Sequence, residues 1–270
     1  MSKRKPPPKK KPRPKPTPAG PPAWLPAVVL LGVVAIAVVI FVLTRPGPAP
    51  PPPKHLDLVS QLAQDRTGEL DRVAAGTAGA TRFKRVSEPA LTSGGKPEVL
   101  YIGAEYCPYC AGERWALLVA LSRFGSFTGV QPITSSEGSL VTFTFHRSSY
   151  TSSYLAFRPV EVADGSGKPL ETPTAAESAL EQKYATGIPF VDLGNRIVFD
   201  GATYDVSVLQ GLTWQQVLAQ LQQPGSDVSQ GILGSANLIT AGICELTGRQ
   251  PAAVCSDPVI QKLAQRLPTS

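Results

Sequence analysis

Apolar residues fall in two regions of this 270-residue chain: one unbroken run near the N-terminus, then a series of shorter patterned segments from Lys96 onward. The first, "WLPAVVLLGVVAIAVVIFVL" from Trp24 to Leu43, carries no charge over twenty residues. At 1.5 Å per residue such a helix spans roughly the 30 Å hydrocarbon layer of a membrane. It is apolar all round, which does not suit a helix on the surface of a folded core. It ends in Thr44-Arg45-Pro46 with no small-x-small site nearby, so the expectation is an uncleaved single-pass anchor.

The later segments alternate between strand and helix patterns. "PEVLYIGAEY" is an apolar run of strand type. "CAGERWALLVALSRFGSF" has helical spacing, with Trp115, Leu118, Val119 and Phe124 on one face and Gly125 as a stop. "SLVTFTFHR" reads as the second strand, and "YLAFRPVEV" as a third inside an inserted region. A helix is expected around Thr174 to Tyr184, then a hairpin in "IPFVDLGNRIVFDG" turning at Gly194-Asn195, then a helix in "TWQQVLAQLQQ". "GSANLITAGICELTG" and "DPVIQKLAQRL" are expected to form a short helical end piece. This order predicts an α/β fold, a small mixed sheet flanked by helices with an inserted segment and a C-terminal helical extension, preceded by a single transmembrane helix.

Composition divides the chain further. Residues 1–23 form a Pro-rich tail with eight Lys or Arg and no acid, 24–44 the anchor, 45–54 a Pro-rich stalk, and 55–95 a helical or irregular lead-in. Residues 96–223 form the main domain and 224–270 the extension. The tail's eight cations exceed the whole chain's net charge of +6, which leaves the remainder at −2. The basic pI is therefore a property of the tail, and no nucleic-acid partner is expected. The tail is expected to be disordered or polyproline-like and to act as a topology determinant with no partner, contact with anionic lipid headgroups being the other reading, and the stalk to rise about 30 Å in polyproline conformation. Cations on the near side of the anchor predict a cytoplasmic N-terminus and an extracytoplasmic C-terminal domain at the cell membrane, with residues 24–43 in the bilayer.

That topology puts all four cysteines outside, where thiols pair. Cys107 and Cys110 form a C-x-x-C at the junction of a strand and a helix. A cysteine at a helix N-terminus faces unpaired N–H groups and the positive end of the helix dipole, which favours thiolate. Cys107 is then the exposed attacking thiol and Cys110 the resolving one. Pro108 suits the first helical turn, and Tyr109 lies between the sulfurs, where it tunes their potential. Two other readings stay open, an inert disulfide and a metal site. The short loop gives an inert disulfide little to constrain. Zinc needs about four ligands, whereas Cys244, Cys255, His55 and His146 match no ligand spacing and copper delivery needs a different cysteine spacing, so no metal is expected. Cys244 and Cys255 close a Gly- and Pro-containing loop and read as a structural disulfide; their rival role is a second redox pair. Trp115 reads as core, Glu113 and Arg114 as a solvated helix face, and Asp164 to Pro169 as a turn-rich loop.

"GAEYCPYC" and "TGIPF" (Thr186 to Phe190) resemble two segments of the thioredoxin-like superfamily, and together the resemblance covers about residues 96–223. "YIGAEYCPYCAGERWALLVALSRFG" further resembles a family of uncharacterised extracytoplasmic, membrane-anchored thioredoxin-fold proteins of high-GC bacteria and archaea. The resemblance implies a cis Ile188–Pro189 bond facing the dithiol and presenting a substrate strand. It also implies a buried acid six residues before the first cysteine, where this chain has Tyr101. The expected function is a membrane-tethered thiol–disulfide oxidoreductase acting on protein thiols and disulfides, with no cofactor beyond the dithiol and with a membrane or extracytoplasmic partner that recharges it. The alternative is a non-catalytic binding or scaffold module of the cell envelope with structural disulfides.

Overall fold

Residues 55–62, 64 and 66–269 are described by a computed structural model. The expected tail, anchor and stalk, residues 1–54, lie outside them. Among the described residues, no helix is long and apolar enough to cross a membrane. In chain order the elements are α1 (His55–Leu62), α2 (Thr67–Val73), a 3-10 turn (Ala80–Arg82), β1 (Lys84–Arg85), β2 (Thr92–Ser93), β3 (Lys96–Gly103) and α3 (Pro108–Ser122). Then come β4 (Ser126–Thr128), β5 (Gln131–Thr134), β6 (Val141–Thr144), β7 (Ser149–Thr151), β8 (Ala156–Glu161) and α4 (Ala175–Tyr184). The chain finishes with β9 (Phe190–Leu193), β10 (Ile197–Asp200), a 3-10 turn (Val206–Leu209), α5 (Trp214–Leu221), α6 (Asp227–Leu246), α7 (Ala252–Cys255) and α8 (Pro258–Ala264).

β3 is the centre of the sheet. It pairs in parallel with β8, Glu98 opposite Ala156 through Gly103 opposite Glu161, and antiparallel with β9, Val99 opposite Leu193 through Ile102 opposite Phe190. β10 and then β1 extend the sheet beyond β9, and β2 pairs with the first residues of β3. Successive side chains of β3 point to opposite faces, so Val99 and Tyr101 enter the larger core with α3 and α6, while Leu100 and Ile102 enter a smaller one with Leu180 and Tyr184 of α4. Layers of helix on both faces account for a strand that reads as continuously apolar rather than alternating.

Three elements differ from their sequence reading. The parallel neighbour of β3 is β8, which lies in the segment read as an insertion, whereas "SLVTFTFHR" forms β6 of a separate two-stranded hairpin with β5. β6 is buried along its whole length because it packs on α3: Trp115 Nε1 donates to Val141 O at 2.9 Å, and Thr142 Oγ1 donates to Ala111 O at 2.7 Å. Burial makes it as apolar as a sheet strand. The C-terminal segment is also no appendage. α6 runs twenty residues, buried from Ile232 through Cys244 in the same core as α3. Its close approach is made by glycine: a Cβ at Gly234 would lie 2.3 Å from Ala75 O. Finally, α3 has no solvated face, since every residue from Cys110 to Leu121 is buried. β6, α6, α1 and the sheet surround it.

The hairpin of β9 and β10 turns at Gly194 and Asn195, both with positive φ, and Asp192 Oδ1 accepts the Asn195 N–H at 2.6 Å. Leu246, at the end of α6, lies on Gly194. Just beyond it, a disulfide joins Cys244 of α6 to Cys255 of α7, with Cα atoms 5.5 Å apart. The bond closes a loop with a sequence separation of 11. Replacing both cysteines by alanine is therefore expected to lower unfolding stability by about 3 kcal/mol on the loop-entropy estimate, measured by urea denaturation, with the alkylation rate of Cys107 unchanged.

Candidate functional site

β3 delivers the chain to the dithiol. Tyr101 lies along the end of the strand with its hydroxyl over Gly103, where a Cβ would stand 2.1 Å from it. This is the position at which the resemblance implies an acid. The tyrosine is fully buried, its hydroxyl has no hydrogen-bond partner, and burial pushes its pKa well above the ordinary value. Four residues past Gly103, Cys107 caps α3 with extended backbone, and its sulfur accepts the Cys110 N–H at 3.3 Å. Pro108, at the first helical position, gives up no donor that the helix needs.

Both thiols are free and buried. Cys107, expected to be exposed, is only 5 % accessible, because the Thr186–Pro189 loop closes over it. The Ile188–Pro189 bond is cis, and Cys107 Sγ lies 3.7 Å from Ile188 O. The Cys107 pKa is lowered to about 7, chiefly by the hydrogen bond from the Cys110 side chain, with the Cys110 and Tyr109 N–H groups and the Arg114 charge adding to it against burial. Burial pushes the fully enclosed Cys110 thiol upward. The two sulfurs are thus driven apart in acidity, as an attacking and a resolving thiol require.

Glu113 and Arg114, expected to face solvent, are both fully buried. The seven residues that follow, "WALLVAL", cover every face of the helix with apolar side chains; that pattern was the available sign that the helix has no wet side. Arg114 is one turn beyond Cys110, and helical side chains lean toward the N-terminus, so its guanidinium reaches back beneath the dithiol. There it forks onto Glu161 at 2.8 and 2.7 Å and donates to Ala104 O at 2.8 Å. Glu161, the last residue of β8, also accepts the Phe145 N–H at 3.2 Å. Glu113 points away, accepting the Thr203 N–H at 2.8 Å and the Thr203 hydroxyl at 2.9 Å, and burial raises its pKa to about 7.

Two walls flank Cys107. On one side a groove of about 300 Å³ is lined by Arg82, Tyr109, Thr186, Gly187, Asp200 and Gly201. On the other, the turn between β5 and β6 abuts the site: Glu137 N donates to Tyr106 O at 3.1 Å, and Gly138 lies against Pro108. The structure therefore brings together Cys107, Cys110, Pro108, Tyr109, Ile188 and Pro189, and adds Arg82, Tyr101, Arg114, Glu161 and the Glu137 turn. Cys244 and Cys255 are not part of this site. They lie near Gly194, at the far end of β9 from Pro189, roughly 15 Å away by strand rise. His146 is engaged with Glu171 at 2.7 Å, and the described residues hold no group of three or more His, Cys, Asp or Glu that could take a metal.

A family described as a domain of unknown function (DUF929) matches residues 82–189. The chain is similar to that domain. No curated protein and no solved structure matches the chain. The DUF929 match begins at Arg82 and ends at the cis-proline, so it takes in the dithiol, Arg114 and Glu161 but not the β9–β10 hairpin or the disulfide.

Two measurements follow from this geometry. Alkylation of the reduced protein by iodoacetamide is expected to modify Cys107 alone, at a rate that falls with a midpoint at about pH 7 as the thiolate is protonated, Cys110 staying silent until unfolding. Folding raises the Glu113 pKa from 4.5 to about 7, so the folded state holds that proton more tightly and the ionised acid weakens the fold as pH climbs through this window. Glu113→Gln is therefore expected to stabilise the protein by about 1–3 kcal/mol at pH 8 and hardly at all at pH 4, read from urea unfolding at the two pH values.

Proposed function

We propose that this chain is a membrane-tethered, extracytoplasmic thiol–disulfide oxidoreductase with a thioredoxin-like fold. The observation that carries the reading is the geometry of the dithiol: a helix-cap sulfur that accepts the Cys110 N–H at 3.3 Å and lies 3.7 Å from Ile188 O before the cis-proline, backed by a fully enclosed second thiol, with burial and hydrogen bonding driving the two acidities apart. The strand order supports the fold. A central strand with a parallel neighbour on one side and an antiparallel hairpin on the other, with the C-x-x-C helix in the crossover, is the plan that the sequence resemblance implies.

The reaction balances as two exchanges. The Cys107 thiolate attacks one sulfur of a substrate disulfide and forms a mixed disulfide, and the other substrate sulfur leaves as a thiolate and takes a proton. Cys110 then loses its proton and attacks the Cys107 sulfur, releasing the second substrate thiol and leaving Cys107–Cys110 oxidised. Two electrons pass to the substrate, and a dithiol reductant must restore the pair. Run backward from the oxidised pair, the same steps oxidise a substrate dithiol, and a disulfide-bearing partner recharges the protein. Ile188 and Pro189 present the substrate chain beside Cys107, Pro108 and Tyr109 tune the pair, and Cys244–Cys255 stays outside the cycle. The anchor at residues 24–43 keeps the domain at the outer face of the membrane.

The full-length chain equilibrated in glutathione buffers tests the reading, with Cys107–Cys110 followed by mass. A potential near about −120 mV makes it a disulfide donor and one near about −270 mV a reductase. Cys107→Ser is expected to abolish exchange with a disulfide-linked peptide, and Cys110→Ser to accumulate the mixed disulfide on Cys107. A pair that stays oxidised across the whole buffer range, with thiols reactive only on unfolding, would overturn the reading in favour of a scaffold module with permanent disulfides.

A further inference from the structure

Resting on that oxidoreductase reading, we propose that the groove beside Cys107 selects substrate cysteines flanked by acidic residues, with Arg82 as the cation that recognises them. Arg82 is exposed, lines the groove, and makes no hydrogen bond or ion pair through its side chain to any described residue. Its guanidinium lies over Gly201, where a Cβ would be 3.2 Å from Nη1. A residue with a side chain there would crowd the cation, and the positive φ of Gly201 (71°) also favours glycine.

The charges nearby do not cancel it. Asp200, the acid of the groove, is engaged on both oxygens: Oδ1 by Lys84 at 3.2 Å, and Oδ2 by the Thr186 N–H at 2.9 Å and the Thr186 hydroxyl at 2.6 Å. Glu113, buried, feels the charge of Arg82, but its oxygens are turned to Thr203 and none bonds the guanidinium. The groove thus presents one cation, Arg82, beside one carboxylate that Lys84 and Thr186 already occupy. Tyr109, 56 % exposed, lines the same groove as Arg82. Glu137 stands on the opposite flank, by Tyr106. A peptide lying in this groove with its cysteine at Cys107 meets an exposed guanidinium that no carboxylate bonds, so a carboxylate is the side chain that fits.

Disulfide-linked homodimers of Gly-Asp-Cys-Asp-Gly and Gly-Lys-Cys-Lys-Gly test this with the reduced full-length protein. Each rate is divided by that dimer's rate with dithiothreitol, which removes the effect of flanking charge on thiol reactivity. The normalised rate is expected to favour the acidic dimer about fivefold at low salt, the scale of a half-exposed ion pair, and to fall toward parity in high salt. Arg82→Gln should remove the preference and Arg82→Glu reverse it, with Cys107 alkylation unchanged in both. Cleavage of the two dimers at equal normalised rates, or a preference that survives Arg82→Glu, overturns the proposal and leaves the oxidoreductase reading intact. Cleavage of neither dimer overturns both.

Discussion

Arg114 and Glu161 place opposite charges where no water reaches, and the geometry of the site depends on their meeting. Arg114 belongs to the helix that the dithiol opens, Glu161 ends the strand parallel to β3, and the Ala104 carbonyl that completes the cluster lies on the turn leading to Cys107. One guanidinium therefore ties together the end of β3, the end of β8 and the second turn of the C-x-x-C helix. Pairs of this kind add little net stability compared with apolar residues of the same volume, but neither member can be removed without leaving a bare charge in the core. The arrangement fixes relative position more than it contributes free energy. It also sets a positive charge beneath the two sulfurs that favours the thiolate at either.

The same helix carries its second buried charge to the opposite side. Glu113 faces Thr203 and, through the Thr203 hydroxyl, Ser235 of α6, so consecutive residues anchor the helix to the sheet on one side and to the C-terminal core on the other. Gly112, just before them, takes the Tyr204 hydroxyl on its carbonyl at 2.9 Å and has no room for a side chain beside Val206. A helix gripped in this way is held along its length, so on the proposed reading any change at Cys107 falls on the cap and the loop that faces it.

Much of this was legible in the chain. The strand at Val99–Ile102, the hairpin turning at Gly194-Asn195, the helix capped by Thr174, and the placing of Cys107 and Cys110 at a strand–helix junction all follow from local spacing and turn chemistry. Other features depend on partners far away in sequence. Arg114 looks like any solvated helix cation until Glu161, forty-seven positions later, is seen to meet it. β6 and β8 are both short apolar runs, and nothing in either says which will pair with β3 and which will pack on α3. α6 read as an end piece because its burial depends on glycines meeting Ala75 and Leu193 from distant segments. Arg82 gave no motif at all; only a 3-10 turn brings it beside Gly201.

The two cysteine pairs sit at opposite ends of one strand. Thiol–disulfide exchange requires sulfur to reach sulfur, and β9 holds Cys244–Cys255 away from Cys107 by its own length. The molecule thus holds one free dithiol and one fastened disulfide, and on the proposed reading the first is a switch and the second a rivet. Under the proposed exchange chemistry the dithiol can open and close while the C-terminal helices stay fastened, and the potential of one pair can be tuned without loosening the other.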